Sequence, residues 1–218
     1  MNFEKRRLFD LVVTGFLLLL CFPLFLFIAL VVRLSSPGPA FFRQTRLGRG
    51  GTAFRIFKFR TMAAAPAPGP RITVAGDHRI TPIGKILRRT KLDEIPQLLN
   101  VLRGEMSLVG PRPEVPDYRH VYSNGFEKVL QVRPGITDPV SLELADEENF
   151  LRQFADPLQA YEKILLPRKL ELSLNYLQHR RLRDDVRLLV LTGLTALGLR
   201  RRIPSHFQAE DFSKNYAD

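Results

Sequence analysis

From Leu11 to Val32 the chain reads LVVTGFLLLLCFPLFLFIALVV, a run with no charged residue. As a straight α-helix it would be about 33 Å long, enough to cross the hydrocarbon of a bilayer. Such a run fits the hydrocarbon of a membrane, so the rest of the chain is expected to fold beside one. A secretory signal has a shorter apolar core that ends in a small-residue cleavage site, whereas this run leads into RLSSPGPAFF. Pro23, near the middle, removes a backbone donor and crowds the preceding turn. A spanning helix with a proline bend and a re-entrant helical hairpin both fit these residues. Lys5, Arg6 and Arg7 precede the run and Arg33 follows it. That gives little charge asymmetry and is compatible with both ends on the cytoplasmic face.

After Ser35-Ser36-Pro37-Gly38-Pro39 the composition becomes that of a soluble domain, which divides the chain into an anchor (1–34), a domain (35–202) and a tail (203–218). With 218 residues there is room for one ordinary domain and a core that needs neither disulfides nor metal. The only cysteine, Cys21, lies in the apolar run, and His78, His120, His179 and His206 lack metal-ligand spacing. The net charge of +11, from 33 basic and 22 acidic residues, attracts polyanions: nucleic acid, anionic lipid or phosphorylated small molecules. No RNP-like or zinc-finger pattern is present, so nucleic acid is not an expected partner.

The stretch AFFRQTRLGRGGTAFRIFKFRTM reads as a β-hairpin around Gly48, Gly50 and Gly51, with Arg55, Lys58 and Arg60 on a solvated face as the plain expectation. Ala63 to Pro70, AAAPAPGP, reads as a linker. The expected fold class is α/β or α+β, a small sheet surrounded by helices. Arginines bracket the apolar residues from Val186 to Leu199 within Arg180–Arg202. That segment fits an amphipathic helix in the headgroup layer of anionic lipid or, equally by periodicity, a core helix.

Two carboxylates stand together in TKLDEIPQLLN. Ile95, Leu98, Leu99 and Leu102 form an apolar stripe, Gly104 stops it, and Pro96 is tolerated only in a first turn. Asp93 and Glu94 therefore sit at a helix N-terminus, off the stripe. Capping the free N–H groups explains acidic residues there, at about 1 kcal/mol. The chemical alternative is a division of labour. One carboxylate attacks an electrophile and the other holds a divalent cation, while the helix terminus, Arg88, Arg89 and Lys91 attract phosphate oxygens. The sequence downstream favours chemistry. Pro111-Arg112-Pro113 and Arg133-Pro134-Gly135 mount guanidinium forks on stiff backbone, which suits two-point contact with a diphosphate.

In order, the basic apolar anchor with its central Pro, FRQTRLG, FKFRTM, LDEIPQLLNVLRGEMSLVGPRP, VRPGIT and the late basic-apolar helix resemble the bacterial monotopic phosphoglycosyl transferases, from Lys5 to about Arg202. The resemblance implies transfer of a sugar phosphate from a UDP-sugar to polyprenyl (undecaprenyl) phosphate through a covalent intermediate, with release of UMP. Asp93 would be the nucleophile and Glu94 the Mg²⁺ ligand, with Lys58, Arg60, Arg88, Arg112 and Arg133 contacting diphosphate and nucleotide. It also implies a re-entrant anchor bent at Pro23, placing the site at the cytoplasmic face of the bacterial inner membrane. By comparison with larger members, the chain reads as a minimal catalytic unit. Asp138–Phe150, DPVSLELADEENF, departs from the family's usual Gly-Trp-Ala-Gln continuation, and the chain has no Trp, so the sugar is not identified. A non-catalytic, membrane-tethered polyanion-binding module is the alternative reading. It accounts for the charge and the anchor but gives no reason for Asp-Glu beside Pro-Arg-Pro.

Overall fold

A computed structural model describes residues 3–63, 77–123, 125–143, 147–196 and 199. Most of the linker (64–70), residues 144–146 and the tail (203–218) lie outside the described residues. The chain begins with helix α1 (Phe3–Ser35) and the hairpin β1 (Phe41–Leu47) and β2 (Ala53–Phe59). Next come α2 (Pro82–Thr90), a 3-10 turn over Leu92–Gln97, α3 (Leu98–Arg103) and β3 (Ser107–Val109). The order closes with α4 (Arg119–Tyr122), β4 (Gly135–Thr137), α5 (Pro139–Glu143), α6 (Glu147–Arg152), α7 (Pro157–Ala160), α8 (Leu166–His179) and α9 (Leu182–Ala196). Helices around small sheets are the α+β arrangement expected.

The apolar run is one helix, and its backbone stays α-helical through Pro23. Any re-entry is therefore by a bend in a single helix and not by a loop between two. Asp10, Thr14, Ile28 and Val32 are buried, with Leu17, Leu18 and Phe25 partly covered between them, at the three-to-four-residue spacing of one helix face. That stripe lies along the domain, while Val12, Phe16, Leu19, Leu20, Phe27 and Leu30 stay exposed on the rest of the surface. Among the described residues this helix is long and apolar enough to cross a membrane. A soluble fold has no reason to leave so much apolar surface open, and lipid covers it at no cost.

The hairpin pairs in antiparallel register from Phe41↔Phe59 to Leu47↔Ala53. Gly50 and Gly51 turn it at φ of +68° and +72°, which side chains with a Cβ rarely adopt. Alternate residues face opposite sides. Phe41 and Phe59 stack with Phe25 of α1, with ring centroids 5.1–5.6 Å apart, and pack with Ile28, Val32 and Leu87. Ile56, on the other face, joins Leu98, Val101, Met106 and Leu108.

The second sheet explains the two proline-arginine motifs. β3 and β4 pair in parallel, Ser107 opposite Gly135 and Val109 opposite Thr137, so the segments SLVGPRP and VRPGIT lie back to back. A Cβ on Gly135 would come within 2.1 Å of the Gly110 nitrogen, so glycine is required for the strands to approach. The largest core cluster lies beyond this sheet, where Val115, Tyr122, Val140, Leu151, Leu165 and Leu170 bring α4 to α8 together. Helix α9 rests Leu188 and Leu189 against the core around Met106 and leaves Val186 and Val190 exposed, so the late segment has one covered and one open side.

Arginines fasten α1 at both ends. Near its start Arg6 pairs with the buried Asp185 of α9, and Arg7 donates to the carbonyls of Val101 and Leu102 at the end of α3. At its far end Arg60 is buried, donating to the carbonyls of Val32, Ser36 and Pro39 and to Ser36 Oγ. Val32 O is a terminal carbonyl of α1 and the others follow its end, where a cation satisfies both hydrogen bonding and the helix dipole. Gly38, at φ +116°, lets the guanidinium approach, because a Cβ there would be 2.5 Å from Nη1. Arg60→Met is expected to lower stability by about 2–3 kcal/mol, since several charge-assisted bonds are lost and carbonyls are left bare. Denaturant unfolding of the detergent-solubilised protein checks this, and an unchanged midpoint would mean that Arg60 does not hold the anchor.

Candidate active site

The Asp-Glu pair sits where α2 gives way to the 3-10 turn. Lys91 has φ 59°, and among the described residues it is the one non-glycine with positive φ. It ends α2 in the left-handed region and redirects the chain, so that Asp93 and Glu94 enter the interior, each 7% exposed. The apolar stripe read from the sequence is only in part the buried face of this segment: Leu98 enters the core, with Ile95 packed beside it. Asp93, Glu94, Gln97 and Asn100 are buried, whereas Ile95 and Leu99 are partly open and Leu102 is exposed. A polar interior makes this stable. Asn100, for instance, donates to Arg55 O and Glu105 Oε2 and accepts from the Phe57 amide, tying α3 to β2.

Glu94 is held between cations from two other elements. Lys58 Nζ on β2 donates to Oε1 at 2.8 Å, and the Arg112 fork, mounted between its prolines beyond β3, reaches both oxygens. Burial alone would push the Glu94 carboxyl up, but Arg112, Lys58 and Lys91 outweigh it and hold the group well below the usual carboxylate range. Arg112 is raised in turn, chiefly by Glu94. Its backbone amide donates to Asp138 Oδ2 at 3.2 Å, and Asp138 Oδ1 accepts from the Ser141 amide at the start of α5. The parallel β3–β4 pair thus delivers both the fork and the carboxylate that fixes its backbone.

Asp93 is treated differently. Its Oδ1 is buried with no hydrogen-bond partner. Burial raises its pKa and the Glu94 charge adds to that, against the lowering by Lys58, Lys91 and Arg112. One carboxylate is neutralised by two cations, and the one next to it is kept bare. A helix cap would show the reverse, an oxygen spent on backbone N–H groups.

Of the residues singled out from the sequence, the fold brings together Lys58, Asp93, Glu94 and Arg112. Lys58 therefore leaves the solvated face, as Arg60 does, while Arg55 remains exposed. Arg60 belongs to the end of α1. Arg88 pairs with Glu148 of α6. Arg133 donates to Gly104 O beyond α3, near Arg7 and Arg49.

A second buried cluster flanks Arg112. Lys169 of α8 bonds Glu147 of α6 at 3.1 Å and lies 3.7 Å from Glu114, which in turn faces Arg46 at 3.8 Å. The signal available in the sequence was Glu114 directly after Pro-Arg-Pro. Lys169 and Glu147 carried none, because only the packing of α6 on α8 makes them neighbours.

Comparison with known proteins adds the chemistry of relatives. Residues 1–198 match the family described as bacterial sugar transferase. The chain belongs to that family. A UDP-glucose:undecaprenyl-phosphate glucose-1-phosphate transferase of Caulobacter vibrioides is 49% identical over 61% of this chain and 51% of its own length. One of the same description from Xanthomonas campestris pv. campestris is 38% identical over 88% of this chain and 39% of its own. A UDP-N-acetylgalactosamine-undecaprenyl-phosphate N-acetylgalactosaminephosphotransferase of Aeromonas hydrophila is 42% identical over 53% and 28%. This member of the family spans about half the length of the first of these relatives and less of the others.

The pair carries opposite stability signatures. Asp93, with its raised pKa, favours the folded state when protonated and costs stability as pH rises through that value. Glu94, with its lowered pKa, contributes stability above the ordinary carboxylate range and loses it as pH falls through the folded value. At pH 7 Asp93→Asn is expected to raise the unfolding midpoint. Glu94→Gln is expected to cost about 3–5 kcal/mol, because it strands Lys58 and Arg112. Chemical unfolding of both variants measures this, and destabilisation by both would make the pair a structural cap.

Proposed function

We propose that this protein transfers a sugar 1-phosphate from a UDP-sugar to a membrane polyprenyl phosphate, undecaprenyl phosphate in bacteria, through a phosphosugar ester on Asp93. The observation that carries this is the bare, buried Asp93 oxygen beside a Glu94 that two cations have already neutralised. The family and the printed activities of its relatives support the same reaction class. Their names include glucose and N-acetylgalactosamine donors, so UDP-hexoses form the substrate class.

In the first step an Asp93 oxygen forms a bond to the phosphorus that carries the sugar. The bond to the bridging oxygen breaks, and UMP departs with that oxygen. In the second, an oxygen of polyprenyl phosphate attacks the same phosphorus, giving the diphosphate-linked sugar and restoring the Asp93 carboxylate. Lys58 and Arg112 hold Glu94 now and are placed to share the diphosphate's charge when it arrives. With no hydrogen bond to its Oδ1, Asp93 keeps lone pairs free for attack.

Mg²⁺ fits this donor set when the substrate supplies most of its oxygens, since it binds through one or two carboxylates plus phosphates. Glu94 oxygens already accept from Lys58 and Arg112, so the ion would be held by spare lone pairs of Glu94 together with Asp93, not by Glu94 alone. Bound there, it would screen the repulsion between carboxylate and diphosphate.

The site works at the cytoplasmic face of the bacterial inner membrane, on a re-entrant α1. Two features support this topology: the exposed apolar side of the helix, and the fastening of both its ends to one domain by Arg6, Arg7 and Arg60. A spanning helix would hold its ends on opposite sides of the bilayer. Single cysteines at Asn2 and Ser36, in a Cys21→Ser background, should both react only from the cytoplasmic side. Labelling of either from the periplasm would establish a spanning helix.

The chemical test omits the acceptor. With a panel of UDP-sugars and Mg²⁺ but no polyprenyl phosphate, the protein should release a stoichiometric burst of UMP and gain one phosphosugar on Asp93 by intact-mass and peptide analysis. Asp93→Asn should abolish both. Because the nucleophile must be ionised, the acid limb of kcat/KM should fall at a pH above the ordinary aspartate value. UMP release by Asp93→Asn at the unmodified rate would rule out the covalent route.

A further inference from the structure

A second side chain in the same 3-10 turn shares the peculiarity of Asp93. Gln97 is 1% exposed, and its amide Nε2 is buried with no hydrogen-bond partner. Other buried unpartnered side-chain atoms among the described residues differ in kind. Arg46 Nε and Arg60 Nε belong to guanidinium groups whose remaining nitrogens are bonded, and Thr14 lies in α1. Gln97 makes no side-chain bond to anything, although a methionine or leucine would fill the same space without burying two idle N–H donors.

A 3-10 helix returns to the same bearing every three residues, so the Gln97 side chain leaves the turn on the side of Glu94, whose carboxylate lies between Lys58 and Arg112. A bare acceptor on Asp93 and a bare donor on Gln97 thus stand in the same 3-10 turn, both beside the Glu94, Lys58 and Arg112 cluster, and do not satisfy each other. A ligand that satisfies both must present an electrophile to the carboxylate and an anionic oxygen to the amide. A tetrahedral phosphoryl group presents both.

We propose that Gln97 is a further catalytic residue, whose amide donates to a non-bridging oxygen of the phosphoryl group that Asp93 attacks. This rests on the reading of Asp93 as the nucleophile. While the Asp93–phosphorus bond forms and the bond to the departing UMP breaks, the amide holds that oxygen in place and gives up no proton. Neutrality is the point of having glutamine here. A lysine or arginine in its place would pair with Asp93 and quench it, whereas an amide stabilises the phosphoryl oxygens and leaves the nucleophile bare.

The test uses the full chain in detergent, the UDP-sugar that the unmodified protein turns over, and two variants. Gln97→Met keeps the length and removes the donor. Gln97→Glu keeps the shape and sets an anion where a donor stood. Rapid quench without acceptor should show the UMP burst slowed about 100-fold in Gln97→Met and at least as much in Gln97→Glu. The unfolding midpoint of Gln97→Met should be unchanged or raised, because an unpaired buried amide has been replaced by an apolar side chain. Loss of activity together with a lower midpoint would make Gln97 a packing residue, and a burst at the unmodified rate would remove it from the chemistry. Either result overturns the proposal while leaving Asp93 in its role. If the unmodified protein releases UMP from no UDP-sugar, the reading of the whole site falls, and Gln97 with it.

Discussion

A buried carboxylate organises this domain. Glu94 cannot stay ionised in the interior without cations, and it draws them from a hairpin strand and from a proline-locked segment beyond β3. Removing an ion from water is costly, and only good geometry from both cations recovers the loss. The register of β1–β2, the left-handed Lys91 and the parallel pairing of β3 with β4 all serve that meeting. Its by-product is a site with its positive charge already spent on Glu94, which leaves Asp93 unpaired in the same turn.

The anchor is part of the same construction. Its inner face packs on the hairpin and the β3 core, and its ends are held by cations on carbonyls and on Asp185. One helix is therefore apolar on both sides, its inner face covered by the domain and its outer face exposed and apolar enough to lie in a membrane. This fixes the position of the helix's exposed apolar face relative to the Asp-Glu turn. The helices α6 and α8 add a second set of charges, Glu147 and Lys169 with Glu114, around Arg112. Of these, Glu147 lies in the segment Asp138–Phe150.

Motifs with their own local physics could be read directly from the sequence. The apolar run had to be a membrane-length helix, glycines had to turn the hairpin, proline had to stiffen the backbone around Arg112, and an Asp-Glu pair before Pro96 had to open a helical segment. Reasons that lie within a few residues survive whatever the rest of the chain does. Sequence reading failed where a side chain's role depended on what crossed it. Arg60 and Lys58 are two residues apart on the same strand, yet one caps α1 and the other holds Glu94. Arg133 repeats the motif chemistry of Arg112 but emerges at α3. The stripe of Ile95, Leu98, Leu99 and Leu102 looked like the buried face, but only Leu98 of the four is buried, because the polar interior took Asp93, Glu94, Gln97 and Asn100.

The sequence by itself determined the apolar helix, the hairpin, the two proline-arginine segments and the place of the Asp-Glu pair at the opening of a helical segment, because helix length, turn geometry and proline stiffness are local properties. Tertiary structure alone decided which carboxylate is neutralised and which is left bare, which arginines face the site, and that Gln97 and Lys169 stand near it. Those outcomes depend on charges and donors from distant segments meeting where water is excluded, and the strength of each interaction is set by that meeting and not by the residues that make it.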